Sequence, residues 1–183
     1  MNLPDLDEII DRLAAEQPPP PPLVRGWMDC QCVNEDGTIA WEEHVPNMVS
    51  TAGFNYLLDA GFHSGTQVTA WYQGLIANGT ITLAAADTMG SHSGWTEFTS
   101  YSESTRQQWT VGAASGGANT NSTAVTFTIN ATGSQVYGFF ITSVNTKSGT
   151  TGTLWCTGAF SQVRYPVTGQ AMKFTYTITG ASS

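Results

Sequence analysis

The 183-residue sequence has few charged side chains, and acidic residues are missing from its last part. Asp, Glu, Lys and Arg make up 11% of the chain, against roughly 25% in an ordinary soluble domain. Residues 1–103 hold all 14 acids and two arginines, a net charge of −12, whereas residues 104–183 hold four basic residues and no acid, a net charge of +4. Phosphate binding depends on clustered Lys and Arg, so we expect no nucleic-acid partner.

Cysteines and long apolar runs are scarce as well. The three cysteines, Cys30, Cys32 and Cys156, are odd in number and lack the paired spacing of a zinc site. We expect packed or mildly exposed thiols, with a disulfide of Cys156 or a metal site as alternatives. No stretch approaches the roughly 20 apolar residues of a membrane span, and the acidic start lacks the basic region of a signal peptide. We therefore expect no membrane partner.

A short amphipathic helix is predicted for the first part of the chain, an arm of residues 1–17. The spacing i, i+3, i+4 and i+7 of one helical face is occupied by Leu6, Ile9, Ile10 and Leu13. A helix of about three turns is marginal alone in water, so this stripe needs a partner: another protein, a sister copy or its own body. The alternative is a frayed acidic terminus.

Five consecutive prolines, residues 18–22, follow the arm. Such a run holds the polyproline II conformation at about 3.1 Å per residue, so it predicts a semi-rigid spacer of about 15 Å. The alternative is a ligand for an aromatic groove. Residues 23–183 are then expected to form a single body, because domains most often contain roughly 100–150 residues.

The body is predicted to be mainly β. Strands are expected over 23–33, 38–44, 120–130, 135–142, 152–160 and 171–179, with another opening at Val68 and the turn of the first hairpin at Asn34–Gly37. One helix is expected from Asn47, as N-cap, to Ala60, with Gly61 ending it. This spacing predicts a two-sheet sandwich, jelly-roll-like or immunoglobulin-like, with one packed helix.

Three sets of polar residues invite a catalytic or metal-binding interpretation. They are Ser91 or Ser93 with His92 and Asp87, the carboxylate pair Glu97 and Glu103, and the histidines His44, His63 and His92. Adjacent residues rarely meet with the geometry of a nucleophile and its base, and no Gly-x-Ser-x-Gly motif is present. Two acids six residues apart and three scattered histidines are commonplace. We therefore expect no enzyme, no cofactor and no metal.

Residues 68–109 are unusually rich in aromatic side chains, which predicts a core centred on Trp71, Trp95 and Trp109. The most specific motifs are Trp71-Tyr72-x-Gly74-Leu75-Ile76, Ala86-Asp87-Thr88-Met89-x-Ser91-His92-x-Gly94-Trp95-Thr96-Glu97, and the later Tyr101, Arg106 and Trp109. With Thr51-Ala-Gly53-x-Asn55-x-Leu57-Leu58 and Gly152-Thr-Leu154, they resemble a family of small tailed-bacteriophage proteins. These are virion structural proteins, usually described as head decoration or cement proteins.

The resemblance covers about residues 44–179 and implies a role rather than a reaction. It implies a protein on the capsid exterior of the virion, with the major capsid protein as partner. The arm and the proline run lie outside the resemblance, which leaves the mode of docking open. We expect the stripe of the arm to be a docking hook, because its spacing is the one that helix-binding grooves recognise. The opposite charges of the two parts of the chain, and the lattice role, favour self-association, with a trimer preferred. The alternative is a carbohydrate-binding or host-attachment module of a tail or fibre, with exposed Trp and Tyr as a sugar platform; a flat row of exposed Trp would favour it.

Overall fold

The computed structural model describes residues 24–77 and 81–180. The predicted arm with Leu6, Ile9, Ile10 and Leu13, the proline run 18–22, and a turn expected at Asn78-Gly79 lie outside the described residues. The elements in chain order are β1 (Val24–Val33), β2 (Ile39–Pro46), β3 (Met48–Val49), α1 (Thr51–Phe62), β4 (Trp71–Ala77), β5 (Thr96–Phe98), β6 (Gln107–Trp109), β7 (Ala118–Thr120), β8 (Val125–Thr128), β9 (Val136–Thr142), β10 (Leu154–Arg164) and β11 (Ala171–Gly180).

These strands form two antiparallel sheets, which is the mainly β architecture that the sequence predicts. The first sheet has the order β2-β1-β11-β7, and β8 pairs with another part of β11. The second has the order β3-β10-β9-β4-β5, and β6 pairs with another part of β4. At one edge of each sheet, two short strands therefore pair with different parts of one longer strand: β7 and β8 with β11, and β5 and β6 with β4.

The main core lies between the two sheets. It includes Met28, Cys30, Cys32, Phe127, Phe139, Ile141, Trp155, Phe174 and Tyr176. Strands β1, β8 and β11 alternate between buried and more exposed residues, as expected of strands with one buried face. Strands β4 and β9 instead have nearly continuous buried runs, which indicates that the second sheet is covered on both faces.

The helix of the body begins and ends later than the sequence predicts. Asn47 is not its N-cap, because Met48 and Val49 pair with β10 and keep this segment extended. The cap is Ser50, whose Oγ accepts a hydrogen bond of 3.0 Å from the backbone N–H of Gly53. Gly61 does not end the helix, which continues to Phe62; the left-handed conformation follows at Ser64 (φ 56°).

Other sequence-based boundaries also need correction. The strand expected at Val68 begins only at Trp71, where the pairing with Trp109 of β6 starts. Residues 81–83 lie in a loop, and the chain near Asp87 makes a tight turn closed by backbone hydrogen bonds between Thr88 and Ser91. The start of β4 depends on a distant partner, which local periodicity does not report.

Candidate docking groove

An uncharged groove of about 800 Å³ opens at the end of the sandwich beside α1. Its walls come from α1, the loop before β4, and strands of both sheets; they include Tyr56, Leu57, Val68, Trp71, Gln108, Trp109, Val111, Asn119, Trp155 and Ile178. None of the lining side chains is acidic or basic. The groove is therefore suited to an uncharged, largely apolar occupant.

Aromatic rings form the floor of this groove. Tyr56 packs edge-on against Trp71 with ring centroids 5.2 Å apart, and Trp71 lies 6.1 Å from Trp155. The Trp155 indole N–H donates a hydrogen bond of 2.9 Å to the hydroxyl of buried Tyr176, and Trp109 packs edge-on against the same tyrosine ring at 5.0 Å. These contacts hold the rings in place, so the groove is pre-formed.

Two polar atoms of the lining have no hydrogen-bond partner within the described part of the chain. They are Nε1 of Trp109, a residue only 7% exposed, and Oδ1 of Asn119. An unpaired buried donor or acceptor costs about 1–3 kcal/mol, so such groups are rare without a reason. Both atoms have almost no accessible surface, so their unpaired state belongs to the packing beneath the groove and not to its open surface.

The helix α1, which forms one wall of the groove, exposes apolar side chains. Phe62 is 89% exposed and Leu58 55% exposed, and Leu57 and Val111 are also exposed. Of the residues of α1 only Gly53 is buried, against the backbone of Trp155, so the helix keeps most of its apolar side chains at the surface. Exposed apolar side chains that lie together are typical of a docking face.

The residues considered as a Ser-His-Asp set have structural contacts. One carboxylate oxygen of Asp87 accepts hydrogen bonds from the indole N–H of Trp95 at 3.0 Å and the backbone N–H of Ala84 at 3.1 Å. His92 stacks on Trp95 with centroids 3.8 Å apart, and its Nδ1 lies 3.0 Å from the carbonyl oxygen of Trp95. Within the described residues no hydrogen bond joins Asp87 to His92, so this set is not assembled as a triad.

Glu97 and Glu103 do not face each other as a pair either. Glu97 holds Arg106 in two parallel hydrogen bonds of 3.0 and 2.8 Å, and its carboxylate also accepts from the backbone N–H of Ser148 at 2.7 Å. The Arg106 side chain is fully buried and lies 5.1 Å from the Phe140 ring centroid. Glu103 accepts from the backbone N–H of Thr128 at 3.1 Å.

The three histidines lie apart and have separate contacts. His44 lies 2.7 Å from Asp29, His63 lies 3.5 Å from Asp59 on the next turn of α1, and His92 is the one stacked on Trp95. In residues 24–77 and 81–180, no cluster of three or more His, Cys, Asp and Glu has a geometry that could hold a metal ion.

All three cysteines are free and buried. Burial raises the pKa of Cys32 to about 11 and that of Cys156 to about 12, and it also raises the pKa of Cys30. A thiol with a raised pKa is almost entirely protonated at neutral pH and reacts slowly. These cysteines act as small packing residues, and Cys30 and Cys32 share the inner face of β1 as their spacing predicts.

The six tryptophans form no flat exposed row. Trp95, Trp109 and Trp155 are buried, while Trp27, Trp41 and Trp71 are half-buried. The predicted single core centred on Trp71, Trp95 and Trp109 was wrong: Trp109 lies in the main core, Trp95 in a second cluster, and Trp71 at the groove. The groove itself was missed, because its walls come from segments far apart in the sequence.

Comparisons with known proteins give no match for this chain. No protein-family model matches the chain, and no curated protein or solved structure matches it. The part of the chain that the structure describes contains no helix long and apolar enough to span a bilayer.

Proposed function

We propose that this chain is a bacteriophage virion structural protein that decorates the head, binding the major capsid protein from the capsid exterior and stabilising the lattice. The proposal starts from the resemblance of residues 44–179 to head decoration proteins. The observation that carries it is the use of the polar residues in the most specific segment: Asp87, Glu97 and Arg106 all make internal hydrogen bonds. Side chains committed in this way support a stable binding scaffold.

The exposed apolar side chains of α1 support the same proposal. A decoration protein binds its lattice in many copies, and Phe62 and Leu58 offer apolar area that a partner would bury. The alternative, a carbohydrate-binding or host-attachment module, uses exposed Trp and Tyr as a sugar platform. All six Trp are buried or half-buried, which weakens this alternative, and Tyr165 is an exposed ring that stands apart from them.

Immunogold labelling of purified virions tests the location. Antibodies raised against the chain should decorate the heads of negatively stained particles. Labelling confined to tails or fibres would favour the host-attachment alternative, and particles without label would contradict a virion role altogether. Particles lacking the protein are the matched control for non-specific labelling.

The arm is expected to act as the hook, because Leu6, Ile9, Ile10 and Leu13 match the spacing that helix-binding grooves recognise. Burying four such side chains contributes on the order of 6–10 kcal/mol before ordering costs, so changing all four to serine in the full-length chain should reduce occupancy on particles lacking the protein. The melting temperature should stay unchanged. Asp7→Ser with Asp11→Ser is the control, since it leaves the stripe intact; undiminished occupancy of the four-serine variant would contradict the hook.

Self-association, with a trimer preferred, belongs to the same proposal. The −12 and +4 net charges of the two parts of the chain favour contacts between unlike surfaces, and closed symmetry is the usual result for soluble oligomers. Light scattering of the purified chain should therefore report three copies at low salt. A monomer at all concentrations would count against association in the absence of the capsid.

A further inference from the structure

We propose that the aromatic groove binds the chain's own proline run, residues 18–22, in the polyproline II conformation. This inference concerns how the arm is attached to the body and holds whatever the arm itself binds. It departs from the simple spacer that the sequence predicts, because the prolines then contact the body directly.

The chemistry of groove and occupant is complementary. Proline-rich segments bind in grooves lined by Trp and Tyr, where the rings of the ligand pack between aromatic side chains. This groove offers Tyr56, Trp71 and Trp109 in fixed positions and no charged group. Proline residues have no backbone N–H, so the run brings no donor that the uncharged lining would have to pair.

The covalent connection also brings the run to the groove. Ile178 lines the groove, and in the pairing of β1 with β11 it lies opposite Gly26. Pro22 precedes Gly26 by four residues, a reach of about 13 Å in an extended chain. The run itself is about 15 Å long, and because it ends at Pro22 it can reach the wall that contains Ile178.

Other occupants fit less well. The arm carries five acids, and burying carboxylates in an uncharged groove without partners is costly. A second groove, between the start of β1 and the segment from β3 to α1, is lined by Val24 and Gly26 and is therefore also within reach of the run. Its lining includes Arg25 and His44 and contains no Tyr, so it lacks the Tyr-Trp arrangement of the uncharged groove. The proline run is the uncharged segment next to the first described strand.

The test is to replace all five prolines with serine in the full-length chain and compare the indole N–H signals in ¹⁵N-correlated NMR spectra. If the run occupies the groove, the signals of Trp71 and Trp109 should shift, while those of Trp41 and Trp95, which do not line it, should stay in place. The same spectra check that the variant is folded. No shift at Trp71 and Trp109, or a change confined to Trp27, would overturn the proposal.

Dilution separates the chain's own run from that of a second copy. Signals that stay constant on dilution support binding within one chain; signals of the natural chain that move towards those of the serine variant on dilution would show that a neighbouring copy supplies the prolines, and would overturn the stated occupant.

A free pentaproline peptide added to the serine variant should restore the Trp71 and Trp109 signals in a saturable way. Adding Val111→Lys, which places a charge in the groove, should abolish that response. Val167→Lys is the matched control, because Val167 is similarly exposed (42% against 37% for Val111) and does not line the groove. Equal pentaproline binding by both lysine variants would place the peptide elsewhere.

Discussion

The outer faces of the two sheets differ, although both sheets share one core. The second sheet carries a separate buried cluster on its outer face, formed by Ile76, Met89, Trp95, Phe140 and Leu154. The outer face of the first sheet is polar and open, with a shallow cleft lined by Asp29, Gln31, Glu42, His44, Lys173 and others. One sheet is therefore covered on both sides, and the other on one.

The cover of the second sheet comes from the segment that carries the family resemblance. The loop of residues 81–95 supplies Met89 and Trp95, and the buried pair of Glu97 and Arg106 joins it to the loop after β9. Gly74 is part of the same fit, since a Cβ there would overlap the Phe140 ring. The difference between the faces teaches that the loop is a structural cover, which explains why its large apolar side chains, Met89 and Trp95, are buried.

The largest expected effect is removal of Trp95 from the covered face. Trp95→Ala should lower the free energy of unfolding by about 4–5 kcal/mol, because it leaves a cavity and removes the hydrogen bond to Asp87. Urea denaturation followed by circular dichroism measures the change. On the open face, Gln31→Ala should cost less than about 0.5 kcal/mol. If Trp95→Ala and Gln31→Ala lowered the free energy of unfolding by similar amounts, the covered and the open face would not differ in their contribution to stability.

Breaking the buried ion pair should cost somewhat less. Arg106→Met leaves the Glu97 carboxylate buried without its counter-charge, so we expect a loss of about 3–4 kcal/mol in the same denaturation assay. Adding Glu97→Gln removes that charge and should recover part of the loss. If the two substitutions were simply additive, the pair would not act as a unit.

The neutral side chain of Asn121 lies in the gap between β7 and β8, at the edge of the first sheet, and connects it to β11 by hydrogen bonds. The Asn121 amide donates to the carbonyl oxygens of Thr123 and Phe174, and its oxygen accepts from the backbone N–H of Tyr176 at 2.7 Å. Asn121→Ala should therefore cost about 2 kcal/mol.

The exposed Asn130 is the control for that substitution, and Asn130→Ala should change the free energy of unfolding by less than about 0.5 kcal/mol. Melting curves of the two variants give the comparison. If Asn121→Ala lowered the free energy of unfolding as much as Arg106→Met, the neutral hydrogen bonds of Asn121 would stabilise the fold as strongly as the buried ion pair does.

The smallest expected effect is at Glu43, which joins the two sheets through Arg164 and the backbone N–H of Ser161. Partial burial raises the pKa of Glu43, but these hydrogen bonds outweigh it and lower the pKa below its usual range. Because the folded-state pKa is depressed, the stabilisation is present above the ordinary value of about 4.3 and is lost as the pH falls through the folded-state value.

Glu43→Gln should accordingly cost about 1 kcal/mol at neutral pH and reduce the loss of stability on acidification. Denaturation midpoints measured from neutral pH down to acid follow both effects. An unchanged acid dependence in this variant would show that the bridge between the sheets contributes nothing to it.

Much of the first sheet could be predicted from the sequence, because its strands have one buried face and a period of two reports that directly. The strand expected over 120–130 is interrupted, since β7 ends at Thr120 and β8 covers Val125–Thr128, but within β8 the buried Val125 and Phe127 alternate with the less buried threonines. The turn at Asn34–Gly37 was recognised from its residues. The second sheet is harder to predict from the sequence. Both faces of β9 are buried, so its continuous run of apolar residues does not show which side chains face the main core.

What the sequence by itself determined is therefore local: the alternating strands, the turn of the first hairpin, and the low charge. The tertiary structure decided where α1 begins, because β10 draws Met48 and Val49 into an edge strand. It also decided the groove, whose walls Tyr56, Trp109 and Ile178 meet only after both sheets have paired. The physical reason is that periodicity reports which face of an element is buried, whereas contacts between distant segments depend on pairing and packing across the whole fold.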